Sequence, residues 1–174
     1  MKLAIAVLSL AFILLVLPAA RAQDSGEEYS LAMQAVHAQD LDIAFMHFRS
    51  IAREHPDSKY AKNAIFATGE YYFMTGNYYD AARMFLSFIN NYPESNGKLF
   101  AEAYLLDIAR KQGQEDLVKK LENDIVSRKQ LVLLFKNFKE YKYKSPLSRM
   151  YKADYYIDKV KFYIDGTMLA EISY

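Results

Sequence analysis

Residues 43–56 read IAFMHFRSIAREHP, and 37 residues further along the chain residues 80–93 read DAARMFLSFINNYP. Both stretches place an alanine, two large apolar residues and a closing proline at the same spacing: Ala44, Phe48, Ile51 and Pro56 correspond to Ala81, Phe85, Phe88 and Pro93. A period of this length indicates an α-solenoid of helical hairpins, because one hairpin cannot bury its apolar face without a neighbour. The repeat therefore predicts a mainly α protein with a surface suited to binding.

The repeat divides residues 23–127 into about three hairpins, of which the third is the weakest copy. Their turns fall at Gln39-Asp40, Gly76 and Gly113. Glycine is favoured there because helices commonly end with a residue at positive φ. Gly69 lies inside a predicted helix, where glycine costs about 1 kcal/mol relative to alanine. We therefore expect a ring from a neighbouring helix, such as that of Phe85, to fill the space beside Gly69.

Residues 128–174 depart from the repeat and predict a C-terminal extension. Apolar residues at helical spacing predict a helix that caps the open end of the solenoid: Leu131, Leu134, Phe135, Phe138 and Tyr141. Further on, Asp165-Gly166 stands between two runs rich in Tyr, Ile, Val and Phe, a pattern typical of a small β-hairpin. We expect its strands near residues 158–164 and 167–173, packed on the chain's own helices or added to a partner's sheet.

The amino terminus predicts a signal peptide over residues 1–22. An apolar run from Leu3 to Leu17 is followed by small residues at Ala20 and Ala22, which suit cleavage before Gln23. An uncleaved membrane anchor stays open, since the run approaches the ~20 residues that span a bilayer. The absence of cysteine excludes disulfides and a lipidated cysteine. We expect an exported, periplasmic protein, with association with the outer membrane left open.

Charge is distributed unevenly along the chain. Residues 23–118 contain 8 basic and 14 acidic residues, whereas residues 119–161 contain 12 basic and 5 acidic ones. Three lysines form a predicted basic surface beside the capping helix: Lys136, Lys139 and Lys142. Such a surface suits an anionic membrane surface or a cell-wall polymer, although charged helix faces are commonly just solvated.

No pattern in the sequence indicates catalysis, a cofactor or a metal site. The histidines His37, His47 and His55 lie ten and eight residues apart, with no second histidine or cysteine at the i+3 or i+4 spacing of a helical metal site. The sequence also has no glycine-rich phosphate loop and no serine on a strand-to-helix elbow. We therefore expect a non-enzymatic protein without cofactors, and no nucleic acid among its partners.

The repeat resembles the tetratricopeptide repeat, and the residues that carry the resemblance are Ala44, Phe48, Pro56, Gly69, Tyr72, Ala81, Phe85 and Pro93. The phrases His55-Pro56-Asp57-Ser58 and Tyr92-Pro93-Glu94-Ser95 resemble the subclass found in two bacterial envelope families. One is the outer-membrane assembly lipoprotein, and the other is the periplasmic coordinator of the Tol-Pal system.

The resemblance implies a scaffold for protein–protein interaction in the bacterial envelope, in outer-membrane protein assembly or Tol-Pal-linked maintenance. It also implies that the first helix of each hairpin lines a groove for envelope proteins or peptides, at Tyr29, Met33, Phe66, Glu70, Phe73, Asp107 and Arg110. Rings would anchor the partner and charges would orient it. Two alternatives stay open: Phe66 and Phe73 pack against the next helix, and the basic surface carries the function by binding membrane or cell-wall polymer.

Overall fold

The computed structural model describes residues 25–135 and 140–173, with side chains described through residue 127 and again from residue 140. Within these ranges the chain forms six helices in tandem hairpins, followed by a four-stranded antiparallel sheet. It divides into two compact units, Met1–Ala64 and Ile65–Tyr174. The predicted fold class, a mainly α chain of helical hairpins with a C-terminal β extension, is confirmed.

The helices are 13 to 21 residues long and the strands are short. Helix α1 spans residues 25–37 of the described chain. The other helices are α2 (Leu41–Glu54), α3 (Ala61–Met74), α4 (Tyr78–Asn91), α5 (Lys98–Lys111) and α6 (Glu115–Phe135). The strands are β1 (Glu140–Lys144), β2 (Met150–Tyr155), β3 (Lys159–Ile164) and β4 (Thr167–Ser173).

In the first unit, the apolar stripe on α2 is buried as its spacing predicts. Ala44, Phe48 and Ile51 are fully buried. The ring of Tyr29 on α1 lies 5.9 Å from that of Phe48, edge to face, and stacks on Tyr60 with ring centroids 4.4 Å apart. These contacts give the unit a core that combines the α2 stripe with aromatic packing.

The three turns between hairpin helices share a backbone conformation that recurs with the sequence period. Gln39, Gly76 and Gly113, spaced 37 residues apart, have φ values of +60°, +78° and +68°. The residue after each of the first two turns caps the following helix: Asp40 Oδ1 accepts from Ile43 N at 3.1 Å, and Asn77 Oδ1 accepts from Asp80 N at 3.3 Å. Both caps satisfy an otherwise unpaired backbone N–H at a helix start.

The expectation that a ring fills the space beside Gly69 is confirmed. A Cβ placed on Gly69 would lie 2.9 Å from Cε1 of Phe85, closer than real Cβ atoms approach their neighbours. Phe85 is fully buried on α4. Glycine in the middle of α3 thus allows α4 to approach closely with its ring inserted.

The expected capping helix is not a separate element. Helix α6 runs without interruption from Glu115 to Phe135, so the second helix of the third hairpin itself extends toward the C-terminal segment. Leu121 and Ile125 on α6 are buried, whereas Leu117 is exposed. The proposed continuation through Tyr141 was wrong because that residue lies in strand β1. Phe138, in the same predicted stripe, lies outside the described residues.

The predicted hairpin is confirmed and belongs to a larger sheet. Strands β3 and β4 pair antiparallel around Asp165 and Gly166, whose φ values of +50° and +82° suit the tight turn that this dipeptide favours. The sheet has the order β1-β2-β3-β4, with a register irregularity between Phe162 and Tyr163. The sequence prediction missed β1 and β2.

Alternation along the strands gives the sheet one buried and one more exposed face. The buried face carries Tyr151, Ala153, Val160, Phe162, Ile164, Ala170 and Ile172. Strand β4 lies against helix α5, so the helices cover this face. A sheet with one face packed and one solvated needs this period-two pattern.

Among the described residues, no helix combines the length and apolar character needed to cross a membrane. The predicted signal peptide, residues 1–22, lies outside the described residues.

Candidate functional site

The first helices of the second and third hairpins, α3 and α5, meet the C-terminal sheet inside the second unit. We call the surface of these helices that carries Phe66, Glu70, Phe100 and Tyr104 the first-helix face. All four residues are fully buried. The sheet contributes Tyr143 and Tyr151 to this contact. The chain therefore covers with its own sheet a surface that the sequence assigned to a partner.

Aromatic rings make up most of the contact. The ring of Phe66 lies 5.3 Å from that of Tyr143 and 5.9 Å from that of Tyr151, both edge to face. Phe100 lies 5.0 Å from Tyr151. Behind them Phe85 stacks on Tyr104 with centroids 4.5 Å apart. Such pairs add about 0.5–1.5 kcal/mol each beyond the burial of their area.

A buried polar cluster crosses this aromatic contact. The hydroxyl of Tyr151 on β2 donates to Oε1 of Glu70 on α3. The hydroxyls of Tyr151 and Tyr104, on α5, lie 2.6 Å apart. Because the Tyr151 hydroxyl donates its proton to the hydrogen bond with Glu70, the Tyr104 hydroxyl is the donor in the hydrogen bond between the two tyrosines. One tyrosine of the sheet is thus hydrogen-bonded to both helices of the first-helix face.

Burial dominates the proton affinity of this cluster. It raises the pKa of Glu70 from 4.5 to about 8, although the hydrogen bond from Tyr151, the nearby hydroxyl of Ser145 and the charge of Arg149 act in the opposite direction. Burial also raises the pKa of Tyr104 and Tyr151, with the charge of Glu70 adding to the shift. The carboxyl of Glu70 is therefore mostly protonated at neutral pH.

The cluster is closed to solvent, which limits its chemistry. Glu70, Tyr104 and Tyr151 have relative exposures of 0%, 0% and 1%. A raised carboxyl pKa beside tyrosines would suit a general acid, but a catalytic acid must reach a substrate. In this conformation the cluster joins elements of the second unit. Nor do the described residues contain a group of three or more His, Cys, Asp or Glu side chains placed to hold a metal ion.

Of the five groove residues predicted in the second unit, two are buried and three keep exposed surface. Phe66 and Glu70 are fully buried beneath the sheet, so a partner does not reach them in this conformation. The Phe66 ring also packs on rings of the next helix, α4, which agrees with the alternative left open for it. Phe73, Asp107 and Arg110 retain exposed surface. These three form what we call the rim of the second unit.

The rim is organised by ion pairs and by the cation–π contact of Phe73 with a lysine. Arg110 Nη2 donates to Glu122 Oε1 at 2.7 Å and to the backbone oxygen of Glu171 at 2.8 Å. Asp107 pairs with Lys111, whose Nζ lies 4.9 Å from the centroid of the Phe73 ring. The Phe73 ring also lies 4.6 Å from that of Tyr104, so it is held in place on its inner side.

The two groove residues predicted in the first unit, Tyr29 and Met33, are half-buried on α1. Tyr29 is fixed by its stacking on Tyr60 and by accepting a hydrogen bond from Asn63 Nδ2 at 3.0 Å. Met33 lies one helical turn further along α1, on the same side of the helix. That one groove joins these residues to the rim stays a prediction.

The predicted basic surface is only partly described. Lys136 and Lys139 lie outside the described residues, and Lys142 lies in strand β1 rather than on a helix. Lys142 Nζ pairs with Glu140 Oε1 at 2.6 Å. Further ion pairs join Lys152 to Asp154 at 2.7 Å and Lys161 to Glu171 at 3.2 Å. Much of the basic charge of the sheet is therefore matched locally by carboxylates.

Sequence reasoning missed Tyr104 and Tyr151, the two partners of Glu70. Tyr151 lies in β2, where the available sequence signal was the alternation of Tyr, Ala and Tyr with Lys and Asp in YKADY. Tyr104 stands 34 residues after Glu70, out of step with the 37-residue period. Its role depends on the sheet, which the repeat pattern does not include.

One comparison with known proteins finds a match and another does not. Residues 63–95, which cover most of α3, all of α4 and the Pro93 turn, match the tetratricopeptide repeat family. No curated protein matches the chain at a significant level. The matched segment, together with the tandem hairpins on either side of it, supports a tetratricopeptide-repeat protein.

Proposed function

We propose that this chain is an exported, non-enzymatic scaffold that binds other proteins of the bacterial envelope. The observation that carries the proposal is the tetratricopeptide-repeat match over residues 63–95 within a series of helical hairpins. Repeats of this kind mediate protein–protein interactions, and stacked helical repeats present extended binding surfaces. The expected signal peptide supports placement in the envelope.

The surface we propose for partner binding is what the sheet leaves accessible. In the first unit it includes Tyr29 and Met33 on α1. In the second unit it includes the rim, where an aromatic ring lies beside charged side chains of both signs. Rings held rigidly by neighbours make good anchors because little side-chain freedom is lost on binding.

Outer-membrane protein assembly and Tol-Pal-linked maintenance are the processes that we propose for this scaffold. They rest on the similarity of the phrases around Pro56 and Pro93 to two envelope families. The alternative function, in which the basic surface binds membrane or polymer, is less favoured. Lysines of the sheet such as Lys142 and Lys161 are paired with carboxylates, which reduces the net positive charge there.

The proposal is tested by affinity capture from detergent-solubilised envelope, with the chain from Gln23 onward as bait. The informative variant is Met33→Ala on α1. The matched control is Met46→Ala on α2, where the methionine is 63% exposed and outside the proposed surface. We expect envelope proteins on the wild type and the control but fewer on Met33→Ala. Equal retention by all three baits, or retention of lipid and glycan alone that salt abolishes, contradicts the proposal.

A further inference from the structure

The contact between the sheet and the first-helix face contains a carboxyl group whose two oxygens differ in their hydrogen bonding. Oε1 of Glu70 accepts the hydroxyl of Tyr151, whereas Oε2 is buried and has no hydrogen-bond partner of normal geometry in the structure. A buried charge that lacks partners is costly, while the neutral acid is tolerated. The ionisation state of this one group therefore bears on whether the sheet stays docked.

The groups that face Glu70 come from several elements. Tyr151 approaches from β2 and Tyr104 lies behind it on α5. The segment between β1 and β2 brings the Ser145 hydroxyl and Arg149, and the β3–β4 turn brings Asp165. Arg149 Nε donates a hydrogen bond to Asp165 Oδ2 at 2.8 Å. Because the negative charge of Asp165 offsets that of Arg149, the arginine stabilises an ionised Glu70 less than an unpaired arginine would.

We propose that Glu70 is a latch for the C-terminal sheet, which docks on α3 and α5 while the carboxyl is protonated and is released when it ionises. The sheet is then an internal occupant of the first-helix face. On release, Phe66, Phe100 and Tyr104 would become accessible on the helices, and Tyr151 on the sheet. If the proposed scaffold function also uses this face, the latch controls access to it, and that clause alone rests on the proposed function.

The direction of the pH effect follows from the pKa of Glu70. Its value is about 8 when docked, against 4.5 for the ordinary carboxyl that release would restore. The docked state then binds more protons between these values, so docking weakens as pH rises from about 4.5 to about 8 and changes little above that. From pH 6 to pH 8 the docking equilibrium should fall on the order of 50-fold.

Amide hydrogen exchange on the wild-type chain tests the latch without any partner, so its outcome is independent of the proposed function. Protection factors, which remove the intrinsic effect of pH on exchange, are compared from pH 5 to pH 9 for strands β1–β4 and for helix α4. We expect protection of the strands to fall with pH while that of α4 is retained. Constant protection of the strands, or an equal fall in strands and α4, overturns the latch, since the latter is global destabilisation.

Two variants assign the effect to the carboxyl. Glu70→Gln keeps an acceptor for Tyr151 but does not ionise, so the pH dependence of strand protection should disappear. Glu171→Gln, which removes a half-buried carboxylate paired with Lys161, is the matched control and should keep the pH dependence. If Glu70→Gln does not fold, Tyr151→Phe removes a hydroxyl that stabilises the carboxylate and should move the upper limit of the transition to higher pH. A pH profile unchanged in both cluster variants overturns the proposal.

Discussion

Two residues show how a local sequence feature acts through its surroundings. Gly69 is unfavourable for a helix taken alone, yet its missing side chain makes room for the buried ring of Phe85. Glu70, the next residue, looks like an ordinary helix carboxylate in the sequence. Its burial under the sheet makes it a largely protonated group with a pKa of about 8. The sequence around Glu70 does not show that its carboxyl group is buried and protonated.

The pairing of Gly69 with Phe85 predicts coupled effects on stability. Phe85→Ala should lower the free energy of unfolding by about 3–5 kcal/mol, because it leaves a cavity in the core. Gly69→Ala should also destabilise the wild type, since its new Cβ meets the ring. In the Phe85→Ala background the same change should be neutral or stabilising, because the ring is gone and alanine favours the helix.

Denaturant unfolding of the two single variants and the double variant measures this coupling. Leu86→Ala, at the neighbouring position on α4 where the side chain is 49% exposed, is the control and should change stability much less than Phe85→Ala. Additive effects at Gly69 and Phe85 would contradict the close contact.

At the scale of elements, the sheet depends on one turn whose geometry few residues tolerate. Asp165 and Gly166 both have positive φ, and Asp165 Oδ1 also accepts the backbone N–H of Met150 at 2.8 Å. The turn therefore joins β3 to β4 and is tied to the start of β2. A change in the conformation of this turn should therefore destabilise the pairing of β2, β3 and β4.

Gly166→Ala should destabilise the protein by about 1–2 kcal/mol, because the left-handed backbone that glycine adopts freely is sterically strained for alanine. Gly26→Ala, in helix α1, is the same substitution at a site where a Cβ would make only ordinary contacts, the nearest at 3.8 Å. Thermal unfolding followed by circular dichroism should show a lower midpoint for the first variant and an unchanged or higher midpoint for the second, since alanine favours a helix. Equal midpoints would show that the turn does not constrain the sheet.

The elements that could be predicted from the sequence are those with short-range signals. The repeats followed from the recurrence of Ala44 and Phe48, and the β3–β4 hairpin from Asp165-Gly166. Strand β1 was missed because Leu131 to Tyr141 fits a helical stripe, although Tyr141 also begins the alternation of a strand. Glu70 was assigned to a groove because repeat geometry alone does not include a sheet that covers it.

At the scale of the whole molecule, two compact units combine helical repeats with a C-terminal sheet. The second unit covers its first-helix face with this sheet, while residues of the rim and of α1 remain accessible. A repeat protein that covers part of its own binding face must bind elsewhere or expose that face by a change of state. This arrangement connects the proposed scaffold function with the proposed latch.

The most direct test of the central claim, that the chain binds envelope proteins through its helical repeats, is photo-crosslinking in the cells that make it. A crosslinking amino acid replaces Met33 on α1 in one variant and Lys142 on β1 in a second. We predict discrete protein adducts from position 33, identified as envelope proteins by mass spectrometry, and none from position 142. Protein adducts from position 142 alone, or from neither position, would contradict the claim.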